Sequence, residues 1–315
     1  MATTTNVTSS YSGEHQAKLA SIAVLSGNTL GNGLIEIMPN VKYKGVINRI
    51  DVDDVVRDAT CDFDPSGSDT LTERIIEPKE MQVNMELCKK NYHDTWFAME
   101  MGMSANDNMP KTFQDYLVGL ISAKVAAKIE TNIWSGVRAN NGEFDGFQTL
   151  LAVDADLPAA NEVTGTTVTA ANVITELGKV VNALPAPIYS NEDLYIYVSQ
   201  KIWKLYKRAL GGFGTSGLGA NGVNGLGNNQ DFQTLEFDGV KIARANGLGA
   251  DVMIATLKDN LFFGTGLMAD QTAVEIIDMA SIGSQNVRII MRFTGAVQYD
   301  VVEDIVTYGI TNSAN

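Results

Sequence analysis

The sequence predicts a mixed α+β fold, and three observations predict it. Apolar and polar residues alternate in two runs, 41–47 and 81–87, on either side of an acidic turn. One longer run, 112–135, repeats apolar residues at helical spacing. Beyond residue 166, helix-like and strand-like segments alternate, and the chain closes on an antiparallel pattern.

The first segment, 1–38, reads as an arm. Its start is rich in Thr and Ser, and Leu19, Ile22 and Ala23 are spaced for one face of a short helix before Gly27, Gly31 and Gly33 interrupt it. Residues 40–90 read as a long charged hairpin. Val41, Tyr43, Gly45 and Ile47 alternate on one arm, and Met81, Val83, Met85 and Leu87 on the return. Asp62-Phe63-Asp64-Pro65-Ser66-Gly67 supplies turn chemistry between them. A turn near Ser66 places Cys61 opposite a residue near Thr72 and leaves Cys88 far down the other arm, so no bridge is expected. A hairpin this long buries little within one subunit and is suited to lie on a neighbour.

The spacing predicts a helix over 112–135, capped by Thr112 and ended by Gly136, about 36 Å long at 1.5 Å per residue. Phe113, Leu117, Leu120, Ile121, Val125, Ile129 and Ile133 form its apolar stripe. Thr169 is expected to cap a second helix, stopped by Pro185, and Ser199 a third, ended by Gly211 and Gly212. A strand precedes Ser199, and more are expected at 234–237, 240–244, 252–256 and 272–278, with Gly239 turning between the first two. A glycine-rich loop spans 211–229. At the end, residues 287–293 and 297–301 alternate as a strand pair turned by Thr294-Gly295.

Composition narrows function. The 315 residues are 45% hydrophobic, enough for a sizeable core and about two domains. Only 19% are charged, which suits a surface hidden against copies of itself. The net charge is −14 and no Lys/Arg cluster stands out, which argues against tight phosphate binding. If such a chain encloses DNA, it contains it without gripping it. Two cysteines and two histidines, His15 and His93, make neither a disulfide framework nor a zinc site and fit a reduced, cytoplasmic-type compartment. No signal peptide or membrane span is expected.

The motifs favour plain readings. Gly212–Gly217 and Gly217–Gly222 both spell G-x-G-x-x-G, but a helix precedes them where a strand is needed. Asp62, Asp64 and Glu73 have calcium-loop spacing, yet the flanks read as strands and Asp69 sits at the usual hydrophobic anchor position. An acidic hairpin tip that repels wrong edge pairing is the simpler reading. His93 has no nucleophile at a recognised spacing, and Trp96, Trp134 and Trp203 lie in or beside apolar patterns. No catalytic, cofactor-binding or metal-binding residue is assigned.

The order of parts resembles the major capsid proteins of tailed double-stranded DNA bacteriophages. Phe237-Asp238-Gly239-Val240-Lys241-Ile242, the run Asp259-Asn260-Leu261-Phe262-Phe263-Gly264-Thr265-Gly266 and the closing strands over 287–308 carry the likeness best. The resemblance implies the Hong Kong 97-type fold, with residues 1–38 as N-terminal arm and 39–90 as extended loop. Residues 91–165 and 281–315 would form the peripheral domain, containing the spine helix, and 166–280 the axial domain. It implies a structural protein, not an enzyme, that assembles as hexamers and pentamers of an icosahedral head enclosing DNA. Scaffolding, portal and possibly decoration proteins would be partners, in a virion assembled in the host bacterial cytoplasm, without cofactor or membrane. The short arm implies either a mature form or a separate scaffolding protein. An encapsulin-like nanocompartment shell is the alternative within the same fold, and a nucleotide-dependent enzyme the alternative outside it.

Overall fold

One strand of 14 residues organises the first layer of the molecule. The computed structural model describes residues 27–53, 56, 58–59, 61, 67–88, 111–211, 235–266 and 274–314. In chain order the elements are β1 (Glu36–Met38), β2 (Gly45–Asp53), β3 (Ser68–Ile76), β4 (Lys79–Cys88), α1 (Lys111–Ser135), α2 (Phe147–Leu151) and β5 (Glu162–Val163). They continue as α3 (Val173–Ala183), α4 (Ala186–Tyr189), β6 (Leu194–Val198), α5 (Gln200–Gly211), β7 (Leu235–Phe237), β8 (Val240–Arg244) and β9 (Met253–Leu257). The last are β10 (Leu261–Gly264), β11 (Glu275–Asp278), β12 (Asn286–Tyr299) and β13 (Val306–Tyr308).

The expected C-terminal strand pair is a single strand. β12 runs straight through Thr294-Gly295, with Gly295 opposite Lys79 in the register. Residues 287, 289, 291, 293, 295, 297 and 299 all point to the core, so the two-residue period never breaks. Gly295 serves close packing instead of a turn: a Cβ there would lie 3.1 Å from Phe144 Cε1 and 3.3 Å from Met81 Cε.

β4 is likewise no return arm. Its whole length pairs antiparallel with β12, from Asn286↔Cys88 to Gly295↔Lys79. Its apolar side chains face α1, and that buried layer outweighs pairing with the solvent-exposed β2. The hairpin is therefore shorter: β2 pairs only with β3, from Gly45↔Ile76 to Asp53↔Ser68. That register puts Arg49, not Cys61, opposite Thr72, and carries Cys61 to the hairpin tip. Cys88 lies at the start of the β12 pairing, and both cysteines are free.

The first sheet runs β1-β10-β12-β11, with β4 also on β12. Leu117, Ile121, Val125, Ile129 and Ile133 of α1 share one core with Leu87, Val287, Ile289, Met291 and Phe293. The second sheet runs β5-β13-β9-β6-β8-β7 and buries both faces. Leu194, Ile196 and Val198 of β6 meet a core that includes Val173, Leu177 and Val180 of α3 and Ile202 and Tyr206 of α5. Tyr197, on the opposite face, joins the first core, with its ring 5.1 Å from Trp134, itself 5.4 Å from Phe147. Full burial of such side chains contributes about 1.5–3 kcal/mol each.

Of the expected N-caps only Ser199 holds, since α1 begins at Lys111 and takes Thr112 into the helix. Ser199 Oγ accepts from Ile202 N–H at the start of α5. α3 starts one turn later than expected, with Asn172 at the N-cap position making no side-chain cap hydrogen bond, and its Oδ1 instead accepts from the preceding Thr169 N–H at 2.7 Å. Gly136 ends α1 because a side chain there would sit 2.3 Å from Phe144 O. Asp238 and Gly239 both have positive φ, 47° and 80°, the tight turn that Asp-Gly favours between β7 and β8.

Candidate assembly surfaces

The β2–β3 ribbon has two unlike faces because side chains alternate along each strand. Val46 and Ile75 face each other across one side, as do Ile50 and Leu71, with Val52 beyond them. These five are 47–69% exposed. The opposite side carries Ile47, Arg49, Arg74 and Ile76, and the two isoleucines are buried.

That polar side is fastened to the body. Arg74 Nη1 donates to Asp154 Oδ2 at 2.8 Å, and its guanidinium lies 4.7 Å from the Tyr299 ring centre. Tyr299 donates its hydroxyl to the same Asp154 oxygen at 2.5 Å. Arg49 Nη1 pairs with Glu303 Oε2 at 2.8 Å, and Gln298 Nε2 donates to Ile75 O at 3.0 Å. Just beyond the ribbon, Lys79 Nζ donates to the carbonyls of Arg138 and Asn140, and Arg138 pairs with Glu77 at 3.2 Å. Burial pushes the Asp154 carboxyl up, but hydrogen bonds from Tyr299, Asp156 N–H and Arg74 outweigh it and hold it below the usual aspartate range.

Beside β4 lies an apolar groove of about 400 Å³, lined by Met81, Val83, Met85, Leu120, Ile121 and Val125 among others. Lys124 and Lys128 stand at it, the latter paired with Glu143, whose carboxyl is lowered to about 2 chiefly by that hydrogen bond.

A buried carboxylate anchors the chain where the predicted arm meets the body. Glu130 of α1 accepts Thr29 N–H at 3.0 Å, the Thr29 hydroxyl at 2.6 Å and Asn246 N–H at 3.2 Å. Trp134 Nε1 donates to Thr29 Oγ1 at 2.8 Å. Burial pushes the Glu130 carboxyl up, and these hydrogen bonds oppose the rise without cancelling it.

Glu73 lies on β3 opposite Asn48 and is exposed, while Asp62 and Asp64 lie outside the described residues, as do His15, His93, Trp96 and the glycine strings beginning at Gly212. Among the described residues, no three His, Cys, Asp or Glu side chains are grouped to hold a metal ion. Among them too, no helix is long and apolar enough to cross a membrane. Trp134 is a core residue, and Trp203 packs against the second core. Sequence reasoning missed Asp154, Glu303 and Tyr299 as hairpin partners, because sequence spacing gives no sign of contacts so far apart.

No family model and no curated protein matches the sequence. Solved structures do match. The capsid of a native GTA particle aligns with a TM-score of 0.62 at 12% identity, covering 95% of each chain. The capsid structure of the cyanophage P-SCSP1u aligns at 0.58 and 11%, covering 97% of this chain and 93% of that one. A satellite phage P4 procapsid, which includes a size determination protein, aligns at 0.56 and 10%, covering 93% of each. The chain has the Hong Kong 97-type capsid fold. With the identity this low, what persists is the arrangement of elements.

Proposed function

We propose that this chain is the major capsid protein of a tailed double-stranded DNA bacteriophage, with a structural and not a catalytic role. The observation that carries the reading is the ribbon's apolar face. Five large side chains stand in water on a two-stranded element whose polar side is the one tied down. The polar pair Asn48–Glu73 divides this face into two apolar clusters, and large side chains grouped this way on a two-stranded ribbon suit a partner. The fold likeness over nearly the whole length supports the same reading.

In this proposal residues 1–38 are the arm, 39–90 the extended-loop segment, of which the β2–β3 ribbon is the loop itself and β4 belongs to the first sheet, 91–165 and 281–315 the peripheral domain, and 166–280 the axial domain. β13, from the C-terminal part, completes the second sheet between β5 and β9. The ribbon of one subunit lies on its neighbour with Val46, Ile50 and Leu71 inward. Subunits form hexamers and pentamers, and modest contacts repeated around a closed head sum to a stable shell. Scaffolding, portal and possibly decoration proteins are its partners in the virion, and the shell encloses DNA without sequence-specific binding.

Electron microscopy of the purified chain tests this. Rings, sheets or closed shells are expected. A species that stays monomeric across protein concentration, salt and pH overturns the proposal.

A further inference from the structure

Four of the eight residues from Lys201 to Arg208 are Lys or Arg, and the fold sets three of them on one side of a helix. α5 carries Lys201, Lys204, Lys207 and Arg208 and no acidic residue, in a chain of net charge −14. At 100° per residue Lys201, Lys204 and Arg208 share one side of the helix, opposite the buried Ile202 and Tyr206. They form one wall of an open cleft of about 470 Å³ whose other wall is Val168, Thr169 and Ala170.

Local structure accounts for two of these four cations. Lys201 is paired with Asp251 at 2.6 Å. Arg208, in the last turn, complements the helix dipole. Lys204 lies in the first half of the helix, where a cation opposes the dipole, and it is exposed. Lys204, Lys207 and Arg208 have no ion pair among the described residues.

We infer that this cleft is a foothold for the phosphate backbone of double-stranded DNA. The inference rests on the reading of the chain as a DNA-enclosing shell subunit. Three features favour phosphate over an apolar or peptide partner. The helix itself carries cations and no acid, Lys204 and Arg208 are exposed while Asp251 engages only Lys201, and Lys201 to Arg208 spans about 10 Å, a length over which a duplex presents about six charges. Each site is weak. Repetition over a shell makes it sufficient to hold packaged DNA near a surface that otherwise repels it.

The test is fluorescence anisotropy of the full chain with a labelled duplex of mixed sequence, titrated over salt. Binding is expected at low salt, falling with a log–log slope of about −3, as three or four phosphate contacts require. The triple variant K204Q/K207Q/R208Q should lose at least tenfold in affinity while its melting temperature stays unchanged. No duplex binding at low salt, binding unaltered in the variant, or polyglutamate bound as tightly as DNA would each overturn the inference; the last outcome would mark a docking site for an acidic protein. Particle formation is scored separately. Shells that form without duplex binding sink the foothold alone, and duplex binding without shells sinks the shell reading while the foothold stands.

Discussion

Arg74 and Asp154 join the root of the ribbon to the segment after α2 through a 2.8 Å charged hydrogen bond, with Tyr299 completing the contact from β12. This relationship decides which face of the ribbon is offered outward. With Arg49 held by Glu303 on the same side, the ribbon cannot roll over to hide Ile50 and Leu71 without breaking both ion pairs.

Arg74→Ala should therefore loosen the ribbon more than it loosens the body. Asp154 is nearly buried, with its side chain 11% exposed, so stranding it costs about 1.5–3 kcal/mol. Hydrogen exchange should rise across β2 and β3 and stay unchanged in β6 and α3. Arg74→Lys should recover only part of the loss, because an ammonium cannot reproduce the planar contact on Tyr299.

Acid should release the same contact. Asp154 titrates below its ordinary value in the folded chain, so its contribution is complete above the ordinary aspartate range and is lost as pH falls through the lowered folded value. Protection factors of the ribbon amides, which correct for the intrinsic pH dependence of exchange, should stay flat from neutrality down to about pH 4 and fall below it. Asp154→Asn should remove that acid step and loosen the ribbon at neutral pH.

Glu130 should respond with the opposite sign. Its folded pKa is raised, so the stability it contributes is greatest below its ordinary value of 4.5 and declines as pH rises through the folded value. Mild acidification from neutrality should stabilise the wild type, and Glu130→Gln should flatten that gain in thermal melts. Thr29→Val removes the hydroxyl shared by Glu130 and Trp134 and should cost about 1–3 kcal/mol at neutral pH.

Two glycines should fail for different reasons. A Cβ on Gly247 would lie 2.0 Å from Glu130 O and 2.8 Å from Thr131 Cα, so Gly247→Ala must push α1 away and should cost about 3 kcal/mol. Gly239 has nothing within 4 Å but a φ of +80°, so Gly239→Ala should cost only about 1–2 kcal/mol, the penalty of a left-handed residue. Chemical denaturation of both variants checks the order.

Local periodicity was readable, and long-range pairing was not. The stripe of α1 stands in the sequence at 3.6-residue spacing, and the structure buries Leu117, Ile121, Val125, Ile129 and Ile133 as that spacing requires. The β12 error came from treating Thr294-Gly295 as turn chemistry. The unbroken odd-numbered series from Val287 to Tyr299 was the signal against a turn, since a continuous strand keeps one parity. For β4, alternation fixed which side chains are buried but could not say which strand pairs with it. The α5 stripe is legible in the sequence as four cations within 201–208, but the net charge of −14 masks it. Asp154 and Glu303 lie 80 and 254 residues from the arginines they hold, and no spacing rule reaches that far.

The last prediction separates folding from assembly within one ribbon. Leu71 is 69% exposed and lies opposite Ile50 on the outward face. Leu71→Asp therefore removes no buried contact within the subunit, and its melting temperature should match the wild type. If the outward face packs on a neighbour, the same carboxylate is buried without a partner at every copy of the contact, and particle formation should fail. Ile47 is the control, because it lies one strand position from Val46 on the inward face and is 7% exposed. Ile47→Asp should lower the melting temperature and loosen the ribbon root before assembly is tested at all. Sedimentation velocity and thermal melts on the two variants read both effects, and a Leu71→Asp chain that still builds wild-type particles would show that the outward face is not the contact.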